Sequence, residues 1–337
     1  MSDARRYLVV GPSWVGDMVM AQSLFISLKQ QHPDCVIDVL APAWSLPVLA
    51  RMPEVRSGIE DSTQHRELGF GKRWRQGRAL RNHNYSHAIV LPRSWKSALV
   101  PYFANIPVRT GYKGEQRFVL INDIRRLDKS LLRQTVQRYV ALGSGSSVIT
   151  KVDTPFPVLS VDIDNQARMI SKLALKTDRP VVCMMPGAEY GPAKQWPLEY
   201  YAELAQRLVE SGRRVWVLGS SKDAVFGEVI VGGRDEIHNL CGKTSLVDAI
   251  DLLACAEQVV TNDSGLMHVA AATGVKLNAI YGSSTPDYTP PLTQPALKNI
   301  FYLGLDCSPC FKRTCPLGHT NCLKNITVET IYADIIK

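Results

Sequence analysis

At 337 residues the chain is too long for one ordinary domain, and two domains are expected. With 45% hydrophobic and 21% charged residues it reads as soluble and globular with sizeable cores, and no apolar run approaches the ~18–20 residues of a membrane span. The net charge of +8 is uneven: residues 1–150 carry 21 Lys and Arg against 11 Asp and Glu, and the remainder 18 against 20. An anionic partner therefore belongs with the first half, and nucleic acid, a phosphorylated glycan or an acidic membrane surface would each qualify.

The opening MSDARRYLVVG has too short an apolar run for a secretory signal and reads as the first strand of a buried sheet. From there strand-like runs alternate with helix-like stretches. YLVV leads to a helix over 18–30, CVIDVLA to one over 46–51, and HAIVLP to one over 94–103. After a break the alternation resumes: VVCMMPG leads to 198–210, RVWVLGS to 223–231, the short HNLCG to 246–256, and QVVTND to 266–272, with LNAIYG last. Two such series predict two doubly wound parallel sheets. The proline-bordered stretch TPFPVLSVDIDNQARMISKLALKTDRP separates them, so the domains are taken as 1–165 and 166–337. The last helix is a candidate to pack back on the first half. Ligands of this architecture bind in the cleft at the C-terminal ends of the strands.

Chemistry concentrates in the loops that follow strands. GPSWVGD (11–17) has the glycine spacing of a nucleotide-phosphate loop but places Asp17 where Lys would stand. A carboxylate there repels phosphate, so an NTPase is excluded; the ordinary role of an Asp at this place is a helix N-cap. PGAEYGPAKQWP puts Lys194 in a Gly/Pro-rich loop just before a helix that starts near Pro197. In TNDSGLMHVAAATG, Asp263 or Ser264 can cap a small-residue helix whose N-terminus suits a phosphate, with Gly265 allowing close approach and His268 one turn in. With GSSKD and GKTSL, four loops bearing Lys194, Asp223, Thr244 and Asp263 form a candidate nucleotide-diphosphate site. The opening unit has no G-x-G-x-x-G, against a dinucleotide dehydrogenase. Cys35, Cys183, Cys241 and Cys255 lie in apolar segments and read as buried, reduced thiols. Cys307, Cys310, Cys315 and Cys322, with His319 among them, satisfy a zinc site by count; reduced thiols or a redox-sensitive pair are the alternatives.

The WVGDMVMAQSL opening, the AKQWP loop, the NDSGLMHVAAA segment and the CSPCFKRTCPLGHTNCL tail resemble, in this order, the ADP-heptose:lipopolysaccharide heptosyltransferases of glycosyltransferase family 9, over essentially the whole chain. The resemblance implies the GT-B arrangement, two Rossmann-like domains facing a central cleft. It implies an inverting transfer of heptose from ADP-heptose to the heptosyl-Kdo2-lipid A inner core of lipopolysaccharide. No cofactor would be required. The enzyme would work in the cytoplasm, peripherally on the inner membrane, with no nucleic-acid partner. Asp17 would be the general base on the acceptor hydroxyl, a role that burial among apolar neighbours would favour. Lys194 would neutralise the donor diphosphate and the leaving ADP. Asp263 would bind heptose hydroxyls, with the Ser264, Gly265 and Leu266 amides on the phosphates and His268 beside them. Asp223 would take the ribose hydroxyls and Thr244 the adenine.

The anionic acceptor would fall to the basic half: Arg73 and Arg75 in KRWRQGRALR, then Arg93, Lys96, Arg109 and Lys113. One departure stands out. Members that add the first heptose carry paired threonines about five residues before the lysine, where this chain has Glu189-Tyr190. That leaves this loop's phosphate contacts open and favours addition of the second heptose. The rival readings are a first-heptose enzyme, a GT-B nucleotide-sugar epimerase, which leaves the basic half unexplained, and a basic nucleic-acid-binding protein, which has only Trp74, Tyr85 and Trp95 as stacking aromatics.

Overall fold

The computed structural model describes residues 4–63, 67–145 and 152–337; Met1 to Asp3 of the opening segment lie outside them. The chain divides into two compact units, 1–157 and 158–337.

In chain order the first unit has β1 (Arg6–Val10), α1 (Val15–Gln31), β2 (Val36–Ala41), α2 (Leu46–Leu49), β3 (Ser57–Glu60), α3 (Phe70–Leu80), β4 (His87–Val90), α4 (Leu99–Phe103), β5 (Val108–Tyr112), β6 (Asp123–Arg125) and α5 (Thr135–Leu142). Its six strands are all parallel, in the order β3-β2-β1-β4-β5-β6. The runs read from sequence (YLVV, CVIDVLA, HAIVLP) are three inner strands, buried on both faces and therefore largely apolar; Asp38 within β2 is buried and accepts hydrogen bonds from Arg56 and Tyr85. On one face Leu8, Val10, Leu40, Val90, Val100 and Ile106 form a core with α3 and α4. On the other, α1 buries Met18, Leu24, Phe25 and Leu28. Gly11 is what lets α1 come so near the strand: a Cβ there would stand 2.5 Å from the Met18 methyl.

The second unit has α6 (Ile163–Lys172), β7 (Val181–Met185), α7 (Leu198–Glu210), β8 (Arg214–Val217), α8 (Ala224–Val231), β9 (Ile237–Asn239), α9 (Leu246–Ala254), β10 (Gln258–Asn262), α10 (Gly265–Thr273), β11 (Lys276–Ile280), β12 (Lys298–Phe301), α11 (Asn321–Lys324) and α12 (Val328–Ile335). Its strands, again all parallel, run β12-β11-β10-β7-β8-β9. Counted within each unit, both sheets follow the 3-2-1-4-5-6 order of doubly wound folds. Their order reverses between β1 and β4 in one and between β7 and β10 in the other.

The division falls at Pro157, short of the 165/166 boundary taken from sequence. The reason is α6. The Asn165 amide donates to Asp248 at 3.0 Å and to Asp251 at 2.6 Å, and the backbone N–H of Asp162 donates to Asp251 at 2.8 Å. These bonds tie α6 to α9, so it belongs to the second unit. The last helix, α12, packs in the second unit's core, where Ile331 and Ile335 join Leu204, Leu208 and Trp196.

Candidate active site

The opening loop carries the chain from β1 into α1. Gly11 N–H donates to Leu40 carbonyl at 2.9 Å, and α1 is capped by Trp14, whose side chain makes no capping bond. Asp17 is therefore inside the first turn of α1 and is not its N-cap. A carboxylate in the first turn is favoured by the helix dipole. The placement also sets Asp17 at the sheet's C-terminal edge, beside the reversal point, where Leu91 N–H donates to Val10 carbonyl at 3.1 Å. Exposed indoles surround this edge. Trp14 lies on the β1 loop, Trp44 on the β2 loop and Trp95 on the β4 loop, with Trp44 donating its indole N–H to Ser13 carbonyl at 2.8 Å.

The six cations expected to meet the acceptor separate into two groups. Arg93 and Lys113 are exposed, and the Arg93 guanidinium donates to Lys113 carbonyl at 3.2 Å, joining the β4 and β5 loops. Lys96 is half-buried on the same β4 loop and Arg75 is exposed on α3. Arg73 and Arg109 depart from expectation. Arg73 is buried, donating to Leu68 carbonyl and Thr63 hydroxyl and pairing with Asp61 at 3.4 Å. It shares the inward stripe of α3 with Gly77 and Leu80. Arg109 lies toward the start of β5, away from the C-terminal edge, and donates to the Leu120 and Ile106 carbonyls. Both are struts whose hydrogen bonds are spent inside the unit. Trp74 is exposed, with the Arg78 guanidinium 5.0 Å from its ring centre.

The second sheet's edge is a network. Lys194, on a short turn (192–194), pairs with Asp263 at 2.5 Å, and both side chains are largely buried (17% and 4% exposed). Ser284, in the loop after β11, also donates to the same Asp263 oxygen. Asn262, fully buried, fixes the lysine loop at both ends: it accepts from Trp196 N–H at 2.9 Å and donates to Pro186 carbonyl at 2.7 Å. It accepts from Tyr201 hydroxyl as well, at 3.2 Å. Ser264 caps α10, accepting from Met267 N–H at 3.4 Å. The helix start at Gly265 and Leu266 follows directly and presents its amides at this edge.

His268 is buried one turn into α10, and its Nδ1 has no partner among the described residues. Burial pushes its pKa down to about 4, with Asp263 opposing and Lys194 assisting. The imidazole is therefore neutral at pH 7.

The neighbouring loops close the edge. Asp223 accepts from the Ser220 N–H and hydroxyl at 2.8 and 2.7 Å. Its carboxylate also lies against Gly187, where a Cβ would stand 2.6 Å from Oδ1. Gly242 N–H donates to Gly219 carbonyl at 3.0 Å, which brings the loop of Thr244 beside that of Asp223. The structure thus gathers Lys194, Asp223, Thr244, Asp263, Ser264, Gly265, Leu266 and His268 on the edge of one sheet. Sequence reasoning missed Asn262 and Ser284, although both stand where an apolar strand gives way to polar residues.

All eight cysteines are free thiols. Cys35, Cys183 and Cys241 are buried, whereas Cys255 is half-exposed. Burial raises Cys241 to about 12 and Cys255 to about 11. In the tail, backbone N–H groups from Thr320, Leu317, Gly318 and His319 lower the Cys315 pKa. His319 Nδ1 accepts from Asn321 N–H at 3.0 Å. Among the described residues no three His, Cys, Asp or Glu side chains are placed to hold a metal ion.

Comparison with known proteins bears on this architecture. The profile of glycosyltransferase family 9 (heptosyltransferase) matches residues 73–321. Lipopolysaccharide heptosyltransferase 2 of Salmonella typhimurium is 48% identical over 301 residues, covering 86% of each chain. Lipooligosaccharide heptosyltransferase 2 of Haemophilus influenzae is 49% identical over the same length, also 86% of each. The structure of E. coli ADP-heptose lipopolysaccharide heptosyltransferase II superposes with a TM-score of 0.86 at 40% identity, covering 98% of this chain and 97% of that one. The two parallel-sheet units are thus of the GT-B class, and the chain belongs to glycosyltransferase family 9, the heptosyltransferases.

Proposed function

We propose that this enzyme moves a heptose from ADP-heptose to the heptosyl-Kdo2-lipid A inner core of lipopolysaccharide, inverting the anomeric centre. The observation that carries the reading is the buried Lys194–Asp263 pair at the reversal point of the second sheet, beside the start of α10. That is where a doubly wound sheet binds nucleotides, and the cation and helix amides favour a diphosphate. The relatives named above support the choice of sugar and nucleotide.

In this reading Asp17 accepts the acceptor hydroxyl's proton as that oxygen bonds to the anomeric carbon. The bond from that carbon to the phosphate oxygen breaks, and ADP leaves with the electron pair. Lys194 and the Gly265 and Leu266 amides take up the departing charge. Asp263 orients heptose hydroxyls, Asp223 the ribose, and the Thr244 loop the adenine, while neutral His268 adds no second positive charge. Lys194 and the amides supply the charge stabilisation, so this reading enlists no metal or cofactor. The exposed Arg75, Arg93, Lys96 and Lys113 meet the acceptor's carboxylates and phosphates. No helix among the described residues is long and apolar enough to cross a membrane; we place the enzyme peripherally on the cytoplasmic face of the inner membrane, where its lipid-linked acceptor is displayed.

The test is incubation with ADP-heptose and a one-heptose core acceptor, read by mass spectrometry. The acceptor should gain one heptose. Equal turnover on a core lacking heptose would overturn the second-heptose assignment, and no addition to either would overturn the transferase reading.

A further inference from the structure

The cysteine-rich segment near the C-terminus has no part in the reaction as described, yet it is docked on the lysine loop. Ala193 N–H donates to Arg313 carbonyl at 3.0 Å, and Tyr190 hydroxyl donates to Phe311 carbonyl at 2.7 Å. Phe311 N–H donates to Ser283 carbonyl at 2.7 Å, and Ser308 hydroxyl donates to Gly282 carbonyl at 2.5 Å. The segment is therefore clamped to both loops that reach Asp263, the lysine loop and the β11 loop of Ser284. The lysine loop is shaped to receive it. Gly191 has φ +148°, and a Cβ there would stand 2.6 Å from the Arg313 carbonyl oxygen.

The docking delivers a cation. The Arg313 guanidinium lies 5.3 Å from the centre of the Tyr190 ring, and the Lys194 ammonium lies 5.1 Å from the same centre. Among the described residues Lys194 has a carboxylate partner in Asp263, and Arg313 has none in any ion pair. Arg313 is also exposed. Two like charges on one ring repel, and an anion bound beside them relieves that repulsion. A guanidinium is suited to this because its donors match phosphate oxygens in pairs. Tyr190, anchored through its hydroxyl, fixes both cations by cation–π contact.

We infer that the cysteine-rich segment is part of the donor site and that Arg313 is a second cation on the donor's diphosphate, held beside Lys194 by Tyr190. This rests on the ADP-heptose reading above. Arg313 is a binding residue in this account, and the segment's turns serve to place it.

The experiment is isothermal titration of ADP and of adenosine into the full-length protein, for wild type, Arg313→Gln and Arg313→Lys. Arg313→Gln should weaken ADP about tenfold or more and leave adenosine unchanged. Arg313→Lys should recover part of the ADP loss. The Arg313 side chain is exposed, so folding should be kept, and equal melting temperatures would confirm it. Tyr190→Phe, which keeps the ring and removes the bond to Phe311, should give a smaller ADP loss of the same kind. Unchanged ADP affinity in Arg313→Gln would overturn the inference, as would equal losses for ADP and adenosine, which would mark a structural role. Wild-type protein that bound no ADP would overturn the donor reading itself.

Discussion

The two sheets share one strand order and differ in what they carry at the edge where it reverses. The first sheet's edge carries Asp17 in a helix turn, exposed indoles at Trp14, Trp44 and Trp95, and cations on neighbouring loops. The second sheet's edge is closed and pre-paired, with Lys194, Asp263, Ser284 and Asn262 bonded to one another or to adjoining backbone. The proposed reaction asks different things of the two edges. A group that takes a proton during reaction must leave room for the incoming hydroxyl. Groups that receive a departing diphosphate gain most from being held in place beforehand, because no reorganisation is then needed as charge develops.

That contrast can be broken by mutation. The largest effect is expected at Asp17, where the amide cannot accept a proton: Asp17→Asn should lower acceptor-dependent turnover ~10²–10⁴-fold with donor affinity kept. Next, Lys194→Met should lose both donor affinity and stability. It leaves Asp263 buried without its cation, a cost of roughly 3–5 kcal/mol measurable by chemical denaturation. Adding Asp263→Asn should recover part of that stability and none of the donor affinity. If Lys194→Met left stability untouched, the pre-paired account of the second edge would fail.

His268 sharpens the comparison through pH. Its pKa falls from the ordinary 6.5 to about 4 on folding, so between these values the unfolded chain holds the extra proton. Its contribution is full above pH 6.5 and is lost as pH falls toward 4, of order 3 kcal/mol in all. His268→Gln should flatten the decline in melting temperature over that window, and an unchanged decline would assign it to other groups. The smallest effects separate the first unit's cations. Arg93→Ala and Lys113→Ala should raise the acceptor KM severalfold, less so at high salt, with stability unchanged. Arg73→Ala should instead cost about 2 kcal/mol of stability, because it strands the buried partners of its guanidinium.

Much of this was legible in the sequence because the central strands are buried on both faces and so are mostly apolar runs, each ending at a chemically distinctive loop. Polar or short edge strands gave no such signal: β3 is SGIE and β6 is DIR. Charge counting misjudged Arg73, although its spacing from Gly77 and Leu80 marks the buried stripe of a helix. Ser284, and the approach of Arg313 to Tyr190, depend on contacts between residues far apart in sequence, which no local pattern reports. Asp17 could be placed at a strand-to-helix turn, but its separation from the capping position needed the observed start of α1 at Val15.

The most direct test of the account measures ADP release from ADP-heptose, with and without the one-heptose core acceptor, alongside donor affinity, in wild type and Asp17→Asn. The account predicts release that depends on the acceptor in wild type and collapses in the variant while donor affinity is retained. Near-normal acceptor-dependent release by Asp17→Asn would contradict it and reduce Asp17 to a carboxylate that stabilises the first turn of its helix.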